Sequence, residues 1–193
     1  MHVTAELRLW WPHSPPEVES WWAFCSLPER IEQRTDIYLR DFDQAEIGIK
    51  CRNGDKSTVG AEVKQIVAQI GEYRGQPMEL WVKSESPALT IFGLPTIAVH
   101  KVRRLRDFGP GGASAKSESG DEACHVELAE IQCEGEDPSW WTLGFEASGT
   151  HGNVKAILQH TLQSVVPQLP GADFASAVAG SYPLWLSRLR NRR

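Results

Sequence analysis

Four short stretches of the chain place ionisable side chains on every second residue. Glu6 and Arg8 follow Thr4 in residues 3–9, where Val3, Ala5, Leu7 and Leu9 take the other positions. Lys50 and Arg52 sit in residues 46–52, Glu62 and Lys64 in residues 59–64, and Lys101 and Arg103 in residues 99–104. Side chains along a strand alternate between its two faces, so each pair shares a face. One such strand would be half in water and half against a core. Four of them, each with Lys or Arg and two with Glu, suggest a polar lumen able to hold a polyanion.

These groups need long strands to carry them. Besides the four stretches, residues 34–40 read as a strand with Ile37 and Leu39 opposite Asp36, Tyr38 and Arg40. Residues 78–83, 124–133 and 140–148 read as further strands, and the stretch around Lys101 and Arg103 extends over 96–105. Asn53-Gly54-Asp55 is a hairpin signal. Residues 65–70 fit a strand or a short helix, and residues 87–95 have no clear period. Ser14-Pro15-Pro16-Glu17 predicts a helix start with Ser14 as cap, running through Trp21, Trp22 and Cys25 and stopping before Pro28. From Asn153 the period becomes helical: Val154, Ile157, Leu158, Leu162 and Val165 form one apolar stripe. Residues 173–179 and 182–190 are predicted as further short helices. Residues 109–122 read as a flexible loop inserted in a hairpin. Long antiparallel strands joined by hairpins, with helices at the ends, predict one α+β domain over residues 1–193.

Composition sets the outer bounds. The 193 residues are 41% hydrophobic and 23% charged, with a net charge of −5. That balance gives no argument for nucleic acid or an anionic membrane surface. The Arg-rich stretch 188–193 reads as a solvated helix end. No apolar run approaches the roughly 20 residues that span a bilayer. Cys25, Cys51, Cys124 and Cys133 lack metal-finger or CxxC spacing, and no signal peptide is evident, so buried thiols in a cytoplasmic protein are expected. The six histidines show no ligand spacing, and the eight tryptophans read as core and rim packing. Gly109-Pro110-Gly111-Gly112 lacks the Lys-Ser/Thr and helix of a phosphate loop.

The order Thr4-x-Glu6-x-Arg8, Asp36-x-Tyr38, Lys50-x-Arg52, Glu62-x-Lys64, Lys101-x-Arg103, a late strand with Glu127 and Glu130, and Leu143-Gly144-Phe145-Glu146 resembles the CYTH superfamily, the triphosphate tunnel metalloenzymes. The resemblance spans residues 4–146. It implies an antiparallel β-barrel or tunnel of about eight strands with flanking helices, binding a triphosphate through Lys and Arg and divalent cations through Glu. Members include inorganic triphosphatases, thiamine triphosphatases and one class of adenylate cyclase. The chain departs from the family pattern at Thr4, where a Glu is expected, at Arg8, where a Lys is expected, and after Glu146, where Ser148 follows with no second carboxylate.

A buried triphosphate needs paired cations, and Arg forks and Lys ammoniums suit its oxygens. On the resemblance, Arg8, Lys50, Arg52, Lys64, Lys101 and Arg103 hold phosphates. Glu6, Glu62, Glu130 and Glu146 hold Mg²⁺ or Mn²⁺ or orient water, with Glu6 and Glu146 the catalytic pair. Glu127 and Glu130 lie on opposite faces of one strand, and the choice between them stays open. The expected function is binding, and metal-dependent hydrolysis, of a triphosphate-bearing small molecule or inorganic polyphosphate. The alternative is a non-catalytic member that binds an anion or a protein, which Thr4 and Ser148 favour.

Overall fold

The computed structural model describes residues 2–40, 45–52, 60–91, 93–109, 122–135, 139–150, 152–169 and 176–190. Strands β1 (His2–Trp11), β2 (Arg30–Leu39), β3 (Ile47–Cys51), β4 (Ala61–Tyr73), β5 (Gln76–Ser86), β6 (Thr96–Phe108), β7 (Ala123–Cys133) and β8 (Trp140–Ser148) pair antiparallel in the order β5-β4-β3-β2-β6-β7-β8-β1. Pairing of β1 with β5, from His2↔Lys83 to Glu6↔Glu79, closes the sheet into an eight-stranded barrel. With the ring of strands closed, alternation along each strand separates a lumen from an exterior. Helices α1 (Pro16–Phe24), α2 (Val154–Val165) and α3 (Tyr182–Arg190) flank it.

The principal apolar core lies outside the barrel. Leu7 and Leu9 of β1, Val126 and Leu128 of β7, and Leu143 and Phe145 of β8 pack with Ile157, Leu158 and Leu162 of α2 and with Trp21 and Trp22 of α1. The apolar stripe read from residue 153 onward is thus the face of α2 that covers the wall. With this face buried on the outside, period-two alternation sends Glu6, Arg8 and Glu127 inward. At one end of the barrel a second apolar cluster joins Trp10, Val99, Ile131 and Trp140 to Trp185 and Leu189 of α3. Trp10 stacks on Trp185 with centroids 4.3 Å apart, and its indole donates to the Gly180 carbonyl at 2.7 Å. Neighbours on one strand, Trp10 and Trp11 divide: Trp11 joins the outer core and Trp10 the end cluster.

Two local expectations need correction and one open reading is settled. Helix α1 begins at Pro16; Pro15 occupies the capping position in an extended conformation (φ −81°, ψ 102°), and no side chain caps it. A residue before proline is driven out of the α region, so the second proline moves the start by one residue. The stretch 65–70 is strand throughout; register shifts between Ile66 and Ala68 and between Gln69 and Gly71 break its alternation, which is why periodicity did not decide. The described part of 173–179 is not helix but ends in a short strand, β9 (Val178–Ala179). It pairs with Leu9 and Trp10 of β1, beyond the point where β5 leaves that edge.

Arg74 and Gly75 both have positive φ (50° and 77°), so the β4–β5 hairpin turns through a two-residue loop of the kind that matches strand twist. The Asn53-Gly54-Asp55 turn and most of the 109–122 loop lie outside the described residues. The four cysteines are thiols; Cys51, Cys124 and Cys133 are buried and Cys25 is half-buried. Among the described residues no helix is long and apolar enough to cross a membrane.

Candidate functional site: a cation-lined barrel lumen

The lumen encloses a cavity of about 300 Å³. Nine cationic side chains and four carboxylates line it. All six predicted phosphate ligands are among them, although they meet the cavity to different degrees. The Arg52 side chain is 49% exposed at the rim, whereas that of Lys101 is only 1% exposed.

The cations are held in three groups, each organised by buried carboxylates. In the first, Asp36 on β2, wholly buried, faces Lys101 of β6 at 2.7 Å, Lys50 of β3 at 3.1 Å and Arg34 of its own strand at 3.3 Å. Burial alone would raise the Asp36 carboxyl; the three positive charges override it and hold it well below the carboxylate range. Burial, with Lys50 and Arg34 nearby, pushes the Lys101 ammonium down despite Asp36. Lys101 also donates to the Tyr38 hydroxyl at 3.1 Å and lies 3.5 Å from the centre of the Tyr182 ring.

In the second group, Glu127 of β7 accepts from Arg8 at 2.7 Å and pairs with Arg103, which reaches on to Glu32 of β2 at 2.6 Å. Arg8 and Arg103 outweigh burial and hold Glu127 far below its ordinary value. In the third, Glu6 accepts from Thr4 at 2.6 Å and from Lys64, and faces Lys83 of β5 at 3.7 Å. Lys83 pairs in turn with Glu146 of β8. Glu62 joins the first group from β4, pairing with Arg52 and facing Lys50 at 3.3 Å. Against burial, those two cations lower its carboxyl to about 2.

Of the predicted metal ligands, Glu62 and Glu146 line the cavity and Glu6 lies buried behind Lys64. Glu130 does not line it. It shares the outer face of β7 with Cys124, Val126 and Leu128, and Glu127, odd in register, takes the lumen position. The hydrophobic contact of those three residues with the outer core fixes that parity. Sequence reading missed Arg34, Glu32, Lys83, Arg30 and His125. The first two share the period-two face of Asp36, and Lys83 ends a stretch already read as strand. Tyr182 carried no such signal: it enters the cavity from α3.

The donor set does not fit Mg²⁺ or Mn²⁺. Such an ion needs several oxygen ligands converging in near-octahedral geometry. Each lumen carboxylate is instead engaged by one to three cationic side chains, Thr4 spends its hydroxyl on Glu6, and no three His, Cys, Asp or Glu among the described residues group as metal ligands. What the arrangement can do is bind an anion: cations fixed by buried carboxylates need little reorganisation when phosphate oxygens arrive.

No family model matches the chain, and no curated protein matches it. Among solved structures, the Pct1 RNA triphosphatase of S. pombe, in complex with the Spt5 CTD, superposes over 88% of this chain and 85% of that one, with a TM-score of 0.46 and 11% identity. Similarity at that level carries no argument about chemistry, and the barrel is defined here by its own strand pairing.

Proposed function

We propose that the barrel lumen binds a triphosphate-bearing small molecule or inorganic polyphosphate. One observation carries this reading: nine cations against four carboxylates line a single cavity in a chain whose net charge is −5. Adding Asp36, Glu6 and Asp107, which stand just behind the lining, still leaves two positive charges uncancelled. The cations come from six of the eight barrel strands, β1 to β6, so the charge excess is a property of the enclosure and not of one surface. A linear polyanion offers many oxygens to such a wall, and a single-charge anion few.

The test is thermal stabilisation by tripolyphosphate, compared with sulfate at equal ionic strength. Ligand at about 100 times its Kd stabilises by roughly 2.7 kcal/mol. A shift specific to tripolyphosphate that shrinks with added salt is the expected result; equal shifts with both anions would defeat the reading. Binding without turnover is a second reading in its own right, because Thr4 stands where the resembled family has a carboxylate and donates to Glu6 at 2.6 Å.

A further inference from the structure

Strand pairing places four titratable residues in one row around the lumen wall. Glu6 of β1 is the register partner of Glu146 of β8, Glu146 of His125 of β7, and His125 of Asp107 of β6. Side chains directly opposite in neighbouring strands lie about 5 Å apart at Cβ. His125 lines the cavity together with Arg103 and Glu127. Its Nδ1 is 2.5 Å from Asp107 Oδ1, and Arg30 stands 3.7 Å from the other Asp107 oxygen. Nε2 has no hydrogen-bond partner among the described residues.

A carboxylate on Nδ1 fixes the tautomer that carries its proton there and leaves the Nε2 lone pair available to accept one. The His125 side chain is 40% exposed, so water reaches it. An imidazole held by a carboxylate at the wall of a cationic cavity has the components of general-base catalysis without a metal.

We propose that His125, oriented by Asp107, takes the proton of a water that attacks the terminal phosphorus of a polyphosphate bound in the lumen. The inference rests on the binding reading above. The water oxygen forms the new P–O bond, and its proton passes to Nε2. The bond from that phosphorus to the bridging oxygen breaks, and its electron pair leaves with the departing phosphate chain. The proton on Nε2 then returns to that leaving group or to solvent. Tripolyphosphate and water give orthophosphate and diphosphate, with no further reactant. Arg8, Arg103, Lys64 and Lys83 neutralise charge on the transferred group, the work that a metal ion does elsewhere. The charged groups facing His125 are Asp107 and Arg30 on one side, Glu146 with Lys83 on the other, and Glu127 along its own strand, paired with Arg103 of β6.

The experiment is orthophosphate release from tripolyphosphate with a chelator present, alongside tripolyphosphate-induced thermal stabilisation of the same samples. Expected are turnover by the wild type that falls at acid pH, a roughly 100-fold lower kcat in His125→Gln, and unchanged stabilisation by the anion. Asp107→Asn, a positioning change, lowers kcat with KM unchanged. Stabilisation without turnover in the wild type overturns the proposal and leaves the binding reading standing. Undiminished kcat in His125→Gln overturns it too, as does loss of anion binding together with turnover. Should His125→Gln fail to fold, His125→Asn serves in its place. No stabilisation of the wild type defeats the binding reading and this inference with it.

Discussion

Gly144 makes the room that Arg8 occupies: a Cβ built on Gly144 would lie 2.5 Å from Arg8 Nη2 and 2.6 Å from its Cζ. The two are register partners on β8 and β1, and Gly144 presents bare backbone to the lumen where the guanidinium turns toward Glu127. Gly144→Ala therefore displaces the guanidinium from Glu127. The clash is with the far end of a flexible side chain, so any loss of stability comes from loosening the Arg8–Glu127 pair. Tripolyphosphate affinity should fall along with it, because Arg8 is then turned away from its place in the wall. The measurement is a pair of urea melts with anion titrations; unchanged affinity would mean that Arg8 does not contact the ligand.

Asp36 is the group whose loss should hurt stability most. It is wholly buried and touches cations from three strands. Removing one partner of a buried charged set typically costs about 3–5 kcal/mol, since the others stay behind unpaired. Asp36→Ala should therefore lower the melting temperature sharply. Adding Lys101→Met to Asp36→Ala should restore part of the loss, a coupling that a double-mutant cycle reads directly. Strict additivity of the two changes would count against the contact.

Acid stability follows from the carboxylates. Glu62 titrates at about 2 in the fold against an ordinary 4.5, and Asp36, Glu127 and Glu146 are lowered as well. A depressed folded value means stability that is complete above the unfolded value and lost as pH falls through the folded one. Stability from these groups should hold down to about pH 4.5 and decline from there toward about pH 2. Urea melts across that interval check it, and Glu62→Gln should make the decline shallower. A loss of stability already complete at pH 5 would contradict the pairing.

The wall of the barrel was legible from the sequence because alternation is a local signal. Thr4-x-Glu6-x-Arg8 and Lys101-x-Arg103 declared their shared faces, and the strand bounds of residues 140–148 and the helix at 182–190 agree with the structure. Which face turned inward was not local. The Glu127/Glu130 choice depended on α2 lying over Val126 and Leu128, a contact between segments some 30 residues apart. His125 and Asp107 share no motif, and only the β6–β7 register makes them neighbours. Tyr182 reaches the cavity because α3 folds back on the end cluster, where Trp185 stacks on Trp10. The metal expectation failed to find a fitting donor set for a different reason. Sequence places carboxylates on a face but does not say whether lysines one or two strands away reach them.

The rim offers a cleaner separation of binding from folding than the interior does. Arg52, just past the end of β3, is half-exposed, and among the described residues its ion pair is with Glu62 of β4. Its partner Glu62 is buried but keeps Lys50 at 3.3 Å, so Arg52→Ala should lower the melting temperature far less than Asp36→Ala does. Tripolyphosphate binding should weaken, and its dependence on salt should flatten, because one cation fewer meets the anion. The matching control is Glu130→Gln on the outer face, which should alter neither quantity. If Arg52→Ala instead destabilised the fold while binding stayed intact, Arg52 would be a structural partner of Glu62 and no part of the anion site.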